Sequence, residues 1–308
     1  MPLPLWLVTP ALRLLVRLPL RLIASPQRLR AKFERAARLW FRMPDGAHAA
    51  EDRLPGPAGP IRVLWVSLGR PDRHRVILYL HGGAYVMGSP ETHRHLAAHL
   101  AGAAGVRVLL PAYRLAPEHP FPAGLEDALA CYRHLLRTHA PGQIALAGDS
   151  AGGGLAFGLL HAIEAADLPP PAAAVGFSPF TDMTLSGESH RRNLRWDAML
   201  PGQRAREVVA FYLAGQDPRD PRASPMLGQL RAPPPSLIFA STYEILKDDA
   251  LGLAGSLRAA GGDVRLELWP RLPHAWPVLT RLLAASPKAV AEAGRFISQA
   301  MERAARLS

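Results

Sequence analysis

Three features of this 308-residue chain predict an α/β fold built on a mostly parallel central sheet. Short apolar runs alternate with longer helix-compatible stretches, and parallel neighbouring strands require crossovers of that length. The chain is long enough to bury roughly three quarters of its unfolded surface. Its 49% hydrophobic and 20% charged residues place it with globular proteins, because a disordered chain has too few apolar side chains to offset its ordering entropy.

The elements begin with an N-terminal arm. Residues 3–23, LPLWLVTPALRLLVRLPLRLI, are apolar enough to suggest export or a membrane span. Arg13, Arg17 and Arg21 argue against both: each costs a few kcal/mol at a bilayer centre, and no small-residue cleavage site follows. Their i, i+4, i+8 spacing puts all three on one face of a helix that Pro19 kinks or restarts. Residues 26–43 continue the helical pattern, and 44–60, PDGAHAAEDRLPGPAGP, reads as a linker.

The charge is concentrated in this arm. Nine Lys or Arg against Glu34 give residues 1–42 a balance of +8, out of +11 for the whole chain. Only three of the 36 basic residues are Lys, which reads as a coding bias toward Arg, and no nucleic-acid-binding motif accompanies the charge. Nucleic acid is therefore not an expected partner. A basic amphipathic arm either lies on an anionic membrane surface or folds back as a lid over the main domain, and the lid is the favoured expectation.

Strands are expected at 61–68, 75–80, 107–111, 143–147, 172–177, 236–240 and 264–268, where aliphatic residues dominate short runs. Helices are expected at 91–104, 123–139, 152–166, 248–260 and 287–305. Residues 182–222 break the alternation with Trp196, Met199, Leu200, Phe211 and Tyr212 among charges, and read as a helical insertion above the carboxyl edge of the sheet, where open α/β sheets bind ligands. The expected organisation is cap helices in 1–50, a main domain in 51–181 and 223–308, and a cap insertion in 182–222. The single cysteine, Cys131, excludes an internal disulfide or a multi-thiolate metal site and fits a reducing, cytoplasmic compartment.

The strongest chemical signal is Gly148-Asp149-Ser150-Ala151-Gly152, which follows the run IALA and precedes a helical stretch. G-x-S-x-G between strand and helix is the pattern of a nucleophile elbow, in which glycines let the backbone close a sharp turn and the serine projects at a helix N-terminus. Such a serine needs a neutral imidazole to accept its proton, and a carboxylate to fix the imidazole tautomer. In this fold the order is nucleophile, acid, base. Of the histidines after Ser150, His161 falls in the helix behind the elbow and His190 in the insertion, which selects His274.

The stretches HGGAYVMGS (81–89), YRLAPEHPFPA (113–123), GDSAGG (148–153), FSPFTD (177–182), EILKDDA (244–250) and PHAW (273–276) resemble the bacterial hormone-sensitive lipase-like esterases of the α/β-hydrolase fold. The resemblance implies backbone oxyanion donors at Gly82, Gly83 and Ala151, with Ala84 where many members carry a third glycine. It implies Glu244 as the acid, where most members carry Asp, with Asp248 as the rival and as the first turn of the next helix. Tyr85, Trp196 and Phe211 are expected at the substrate pocket, and Trp276 on its leaving-group side. His81 is expected to brace its loop, Asp149 to point away from Ser150, and Tyr113, Arg114 and Glu118 to hold a turn beneath the site.

Glu91, His93, His95 and His99 invite a metal reading, but a solvated helix is the expectation, and Cys131 is expected to pack rather than react. The implied activity is hydrolysis of short to medium acyl carboxylic esters through an acyl-enzyme, with a small-molecule ester as partner, no cofactor or metal, and a homodimer compatible with the sequence. A lactone or amide substrate would use the same groups. A ligand-binding homologue without turnover is the alternative of a different class, and the presence of His274 counts against it.

Overall fold

The computed structural model describes residues 2–23 and 25–307. Its eight strands are β1 Ala47–Leu54, β2 Ile61–Leu68, β3 Asp72–Leu80, β4 Val106–Pro111, β5 Ile144–Asp149, β6 Ala173–Phe177, β7 Ser236–Ser241 and β8 Val264–Trp269. They form one sheet in the order β1-β2-β4-β3-β5-β6-β7-β8. The β1–β2 and β2–β4 pairs are antiparallel, and every later pair is parallel. The α/β hydrolase arrangement and the mostly parallel sheet expected from the sequence are both present.

The helices are α1 Leu5–Leu12, α2 Leu18–Leu22, α3 Pro26–Trp40, α4 Pro90–Ala104, α5 Ala123–Leu135, α6 Ser150–Ala165, α7 Ser189–Arg192, α8 Ala205–Leu213, α9 Lys247–Ala259 and α10 Ala285–Leu307. Alternating side chains of the strands feed two cores. Val76, Leu78 and Leu80 of β3 pack with Leu125 and Tyr132 of α5 and Leu155 of α6 on one face. Ile77 and Tyr79 pack with Leu96 and Leu100 of α4 and Ile297 of α10 on the other. This period of two on a doubly covered sheet keeps the central strands β5, β6 and β7 buried along their whole length.

One expectation fails at the edge. Residues 44–60 are not a linker throughout, because Ala47–Leu54 pairs along its whole length with β2, from Ala47 opposite Leu68 to Leu54 opposite Ile61. Six of its eight residues are exposed and only Leu54 is buried, so AHAAEDRL carries no apolar alternation. Charged residues on such an edge also discourage pairing with another chain.

The arm folds back onto the rest of the chain. A π-helical turn, Arg13–Arg17, joins α1 to α2, and Pro19 sits at the start of α2, where a missing N–H costs little. Val8 and Leu12 are buried in the core that holds Ala198, Leu272, Leu279 and Leu283. Arg17 donates to the carbonyls of Leu194 (2.6 Å) and Asp197 (3.0 Å) in the 182–222 segment. Arg204 of that segment donates back to the carbonyls of Leu20 (2.8 Å) and Ile23 (2.6 Å). Among the described residues no helix is long and apolar enough to cross a membrane.

Candidate active site

Ser150 stands where β5 becomes α6. Its φ of 52° lies in the left-handed region, a conformation disfavoured for a residue with a Cβ and held here by the tight turn. Gly152 makes that turn possible, because a Cβ there would sit 2.1 Å from the Leu80 carbonyl oxygen. The serine is half-buried, with the N-terminus of α6 at its back.

His274 Nε2 lies 2.8 Å from Ser150 Oγ, and His274 Nδ1 lies 2.7 Å from Glu244 Oε2. Glu244 is fully buried, and its Oε1 accepts the Ser241 N–H at 2.6 Å. Burial draws the imidazole pKa down, but the hydrogen bond and charge of Glu244 outweigh it and hold the pKa above the ordinary histidine value. Ser241 Oγ donates to the Leu272 carbonyl (2.6 Å) and Ala275 N–H to Ser178 Oγ (3.1 Å), so both ends of the imidazole's loop are pinned to strand termini. Asp248 is elsewhere: its Oδ2 accepts the Ser189 N–H at 2.7 Å, and it opens α9 with Asp249.

The 182–222 segment grips the loop that carries Glu244. Asn193 Nδ2 donates to the carbonyls of Thr242 (3.0 Å) and Glu244 (2.8 Å). Buried Asp197 accepts the Ile245 N–H at 3.0 Å, while its other oxygen accepts from Met199 and Leu200. His190 Nε2 lies 2.8 Å from Asp249, whose second oxygen accepts the N–H groups of Thr181 and Asp182. No sequence signal marks Asp197 or Asn193, since neither falls in a motif.

Of the amides expected to be oxyanion donors, Gly82 is not free. The Gly82 N–H donates to Asp149 Oδ1 at 3.0 Å and is therefore spent. The chain then turns through three successive positive φ values, 127° at Gly83, 55° at Ala84 and 60° at Tyr85. Among the described residues no acceptor takes the N–H of Gly83, Ala84 or Ala151. Gly83 is required in this bend, because a Cβ would meet the Met87 carbonyl oxygen at 2.1 Å. The free donors are thus Gly83, Ala84 and Ala151, with Ala84 in the place expected for Gly82.

Asp149 turns away from Ser150, as expected, and takes the Tyr79 hydroxyl at 2.7 Å, with His93 Nε2 3.4 Å from its other oxygen. His81 stacks on Tyr113 with ring centroids 4.2 Å apart, and the Tyr113 hydroxyl donates to the His81 carbonyl at 2.6 Å. Burial pushes the His81 pKa down to about 3, so this ring is neutral and braces the bend. Arg114 holds Asp127, but Glu118 reaches outward to Arg30 and Gln27 of α3 rather than lying beneath the site.

The α4 histidines are not on a solvated face. His93 and His95 are buried, His95 stacking on Phe41 and meeting the Val278 carbonyl at 2.7 Å, because α4 is packed under α3 and α10. No group of three or more metal-capable side chains occurs among the described residues. Cys131 is buried, which raises its thiol pKa to about 12.

The expected substrate residues separate. Tyr85 stacks on Tyr212 with centroids 3.7 Å apart and donates its hydroxyl to the Phe180 carbonyl at 3.2 Å. The phase of α8 turns Tyr212 inward and leaves Phe211 half-buried. Trp276 is completely buried against Phe239 and Trp269, a core position closed to any leaving group. Trp196 stacks on Tyr243 at a pocket of about 220 Å³ that Thr9, Arg13, Arg271 and Pro273 also line. Leu272 and Pro273, just before His274, line the same pocket, so Trp196 sits beside the base's loop.

A family model described as the alpha/beta hydrolase fold matches residues 77–278. An acetyl-hydrolase of Streptomyces hygroscopicus is 43% identical over 263 residues, covering 83% of this chain and 88% of that protein. The crystal structure of an esterase from the bacterial hormone-sensitive lipase family superposes with a TM-score of 0.85 at 39% identity, over 91% of this chain and 93% of the other. EstE5 soaked with p-nitrophenyl butyrate superposes at 0.90 with 33% identity, over 97% and 98%.

Proposed function

Because the chain belongs to the bacterial hormone-sensitive lipase branch of the α/β hydrolase fold family and is an ester hydrolase, we propose that it cleaves short to medium acyl esters through a covalent acyl-enzyme on Ser150. The observation that carries the reading is the unbroken relay from Ser150 Oγ through His274 to Glu244, at 2.8 and 2.7 Å, beside three unused amides.

Ser150 Oγ attacks the ester carbonyl carbon while His274 Nε2 takes the hydroxyl proton. The carbonyl oxygen becomes negative and accepts from the N–H groups of Gly83, Ala84 and Ala151, which are already oriented and need no reorganisation. The positive end of α6 adds to that stabilisation. As the tetrahedral intermediate collapses, the C–O bond to the alcohol breaks and His274 returns its proton to the departing oxygen. Water then attacks the acyl carbon while His274 takes its proton, and the acid leaves as the bond to Ser150 Oγ breaks and His274 returns that proton to the serine oxygen. Throughout, Glu244 fixes the Nδ1–H tautomer and stabilises the imidazolium.

The acyl range is tested with p-nitrophenyl esters from acetate to palmitate. Acetate to octanoate esters are expected to have the highest kcat/KM, with palmitate lower by about tenfold or more. A maximum at palmitate would overturn the acyl assignment, and no turnover of any ester would overturn the mechanism.

A further inference from the structure

We propose that the N-terminal arm seats this protein on an anionic lipid surface. The rod formed by α1, the π turn and α2 has two unlike sides. Its inner side buries Val8 and Leu12, and spends Arg13 and Arg17 on carbonyls of the 182–222 segment. Its outer side leaves Trp6 at 72% exposure and Leu22 at 69%, with Leu7, Leu14, Leu15 and Leu18 also open. Thirteen large apolar side chains are exposed among the described residues, and nine of them lie in residues 3–40. Scattered exposed leucines are ordinary, but this concentration marks a surface with a partner.

Charge decides which partner. No Asp or Glu occurs before Glu34. Arg21, Arg28, Lys32, Arg35, Arg38 and Arg42 are exposed and have no carboxylate partner among the described residues. On α3 the cations Arg28, Lys32 and Arg35 share a shallow hollow with Leu39 and Trp40. A second copy of this chain would bring the same unneutralised cations face to face, whereas anionic headgroups neutralise them while the acyl region takes the leucines and Trp6. Apolar insertion and a basic patch are the two signals that together make interfacial binding stable. Among the described residues no helix is long and apolar enough to cross a membrane, and the split between a buried inner side and an apolar outer side fits an arm lying in the interface plane.

The test co-sediments the whole protein with phosphatidylcholine vesicles, with and without about a third phosphatidylglycerol. Binding is expected only with the anionic lipid and is expected to weaken as salt rises. Leu14→Glu/Leu18→Glu and, separately, Arg28→Gln/Lys32→Gln/Arg35→Gln should each lower partitioning by about tenfold or more. Both variants should keep the wild-type melting temperature and turnover of a water-soluble butyrate ester, because none of these residues touches the site. Equal binding to both vesicle types, no binding, or variants that bind like wild type would overturn the proposal. So would a dimer in light scattering that Leu14→Glu/Leu18→Glu dissociates, since the outer side would then belong to a second copy.

Discussion

Replacing Glu244 by Gln changes one atom pair and leaves the shape intact, so its cost follows from hydrogen-bond polarity alone. Oε1 accepts the Ser241 N–H at 2.6 Å and Oε2 faces His274 Nδ1 at 2.7 Å, in a site with no exposed surface. The Gln carbonyl oxygen must stay toward Ser241, because the opposite rotamer sets two donors against each other at a buried cost of about 1–3 kcal/mol. The amide NH2 then faces Nδ1 and turns it into an acceptor. The ring proton moves to Nε2, 2.8 Å from Ser150 Oγ, where the imidazole donates to the serine and cannot take its proton. A wrong tautomer of this kind lowers kcat by about 10⁴, or roughly 5 kcal/mol of barrier. Asp248→Asn, which removes no contact to the imidazole, should leave kcat within about threefold. The assay is steady-state hydrolysis of p-nitrophenyl butyrate at about pH 8, with melting curves to confirm folding. Glu244→Gln within about tenfold of wild type, or a larger loss for Asp248→Asn, would refute the argument.

Three further outcomes are expected. Glu244 holds the His274 pKa above the ordinary histidine value, and the base works only when neutral, so kcat/KM should fall as pH drops through that raised pKa; a flat profile between about pH 5 and 8 would contradict it. Asp197→Asn removes the acceptor for the Ile245 N–H and a negative charge near His274. It should lower kcat by about tenfold with little change in KM and shift the acid limb to lower pH, and a pure KM effect would show that the segment only shapes the pocket. Asp149→Ala strands the buried Gly82 N–H and Tyr79 hydroxyl, so calorimetry should record a melting temperature lower by about 5 °C together with reduced kcat.

The interior was more legible than the edges. Strands buried on both faces have little room for polar side chains, and β5, β6, β7 and the second half of β3 announce themselves in that way, while β8 at the far edge alternates. Strand β1 has no such constraint, since the edge exposes most of its side chains. The buried histidines of α4 misled for the opposite reason: polar residues on a helix read as solvated, and the covering α3 comes from a distant part of the chain.

The same divide runs through the site. Ser150 and His274 stand out by motif and chain order and Glu244 by the family resemblance, and His274 lies within hydrogen-bond distance of both others. Which of several adjacent amides faces the pocket depends on φ values that one-letter codes do not carry, and so Gly82 stood in for Ala84. Trp276 follows the base closely in sequence, yet the reversal at Ala275, with φ of 46°, carries it into the core.

The most direct test is mass spectrometry after titration with an aryl phosphonate that mimics the tetrahedral intermediate. One adduct per chain on the peptide containing Ser150, rising in step with loss of esterase activity and strongly slowed in His274→Ala, is the expected result. Full inactivation with the label on another residue, or full activity in a chain labelled at Ser150, would contradict the account.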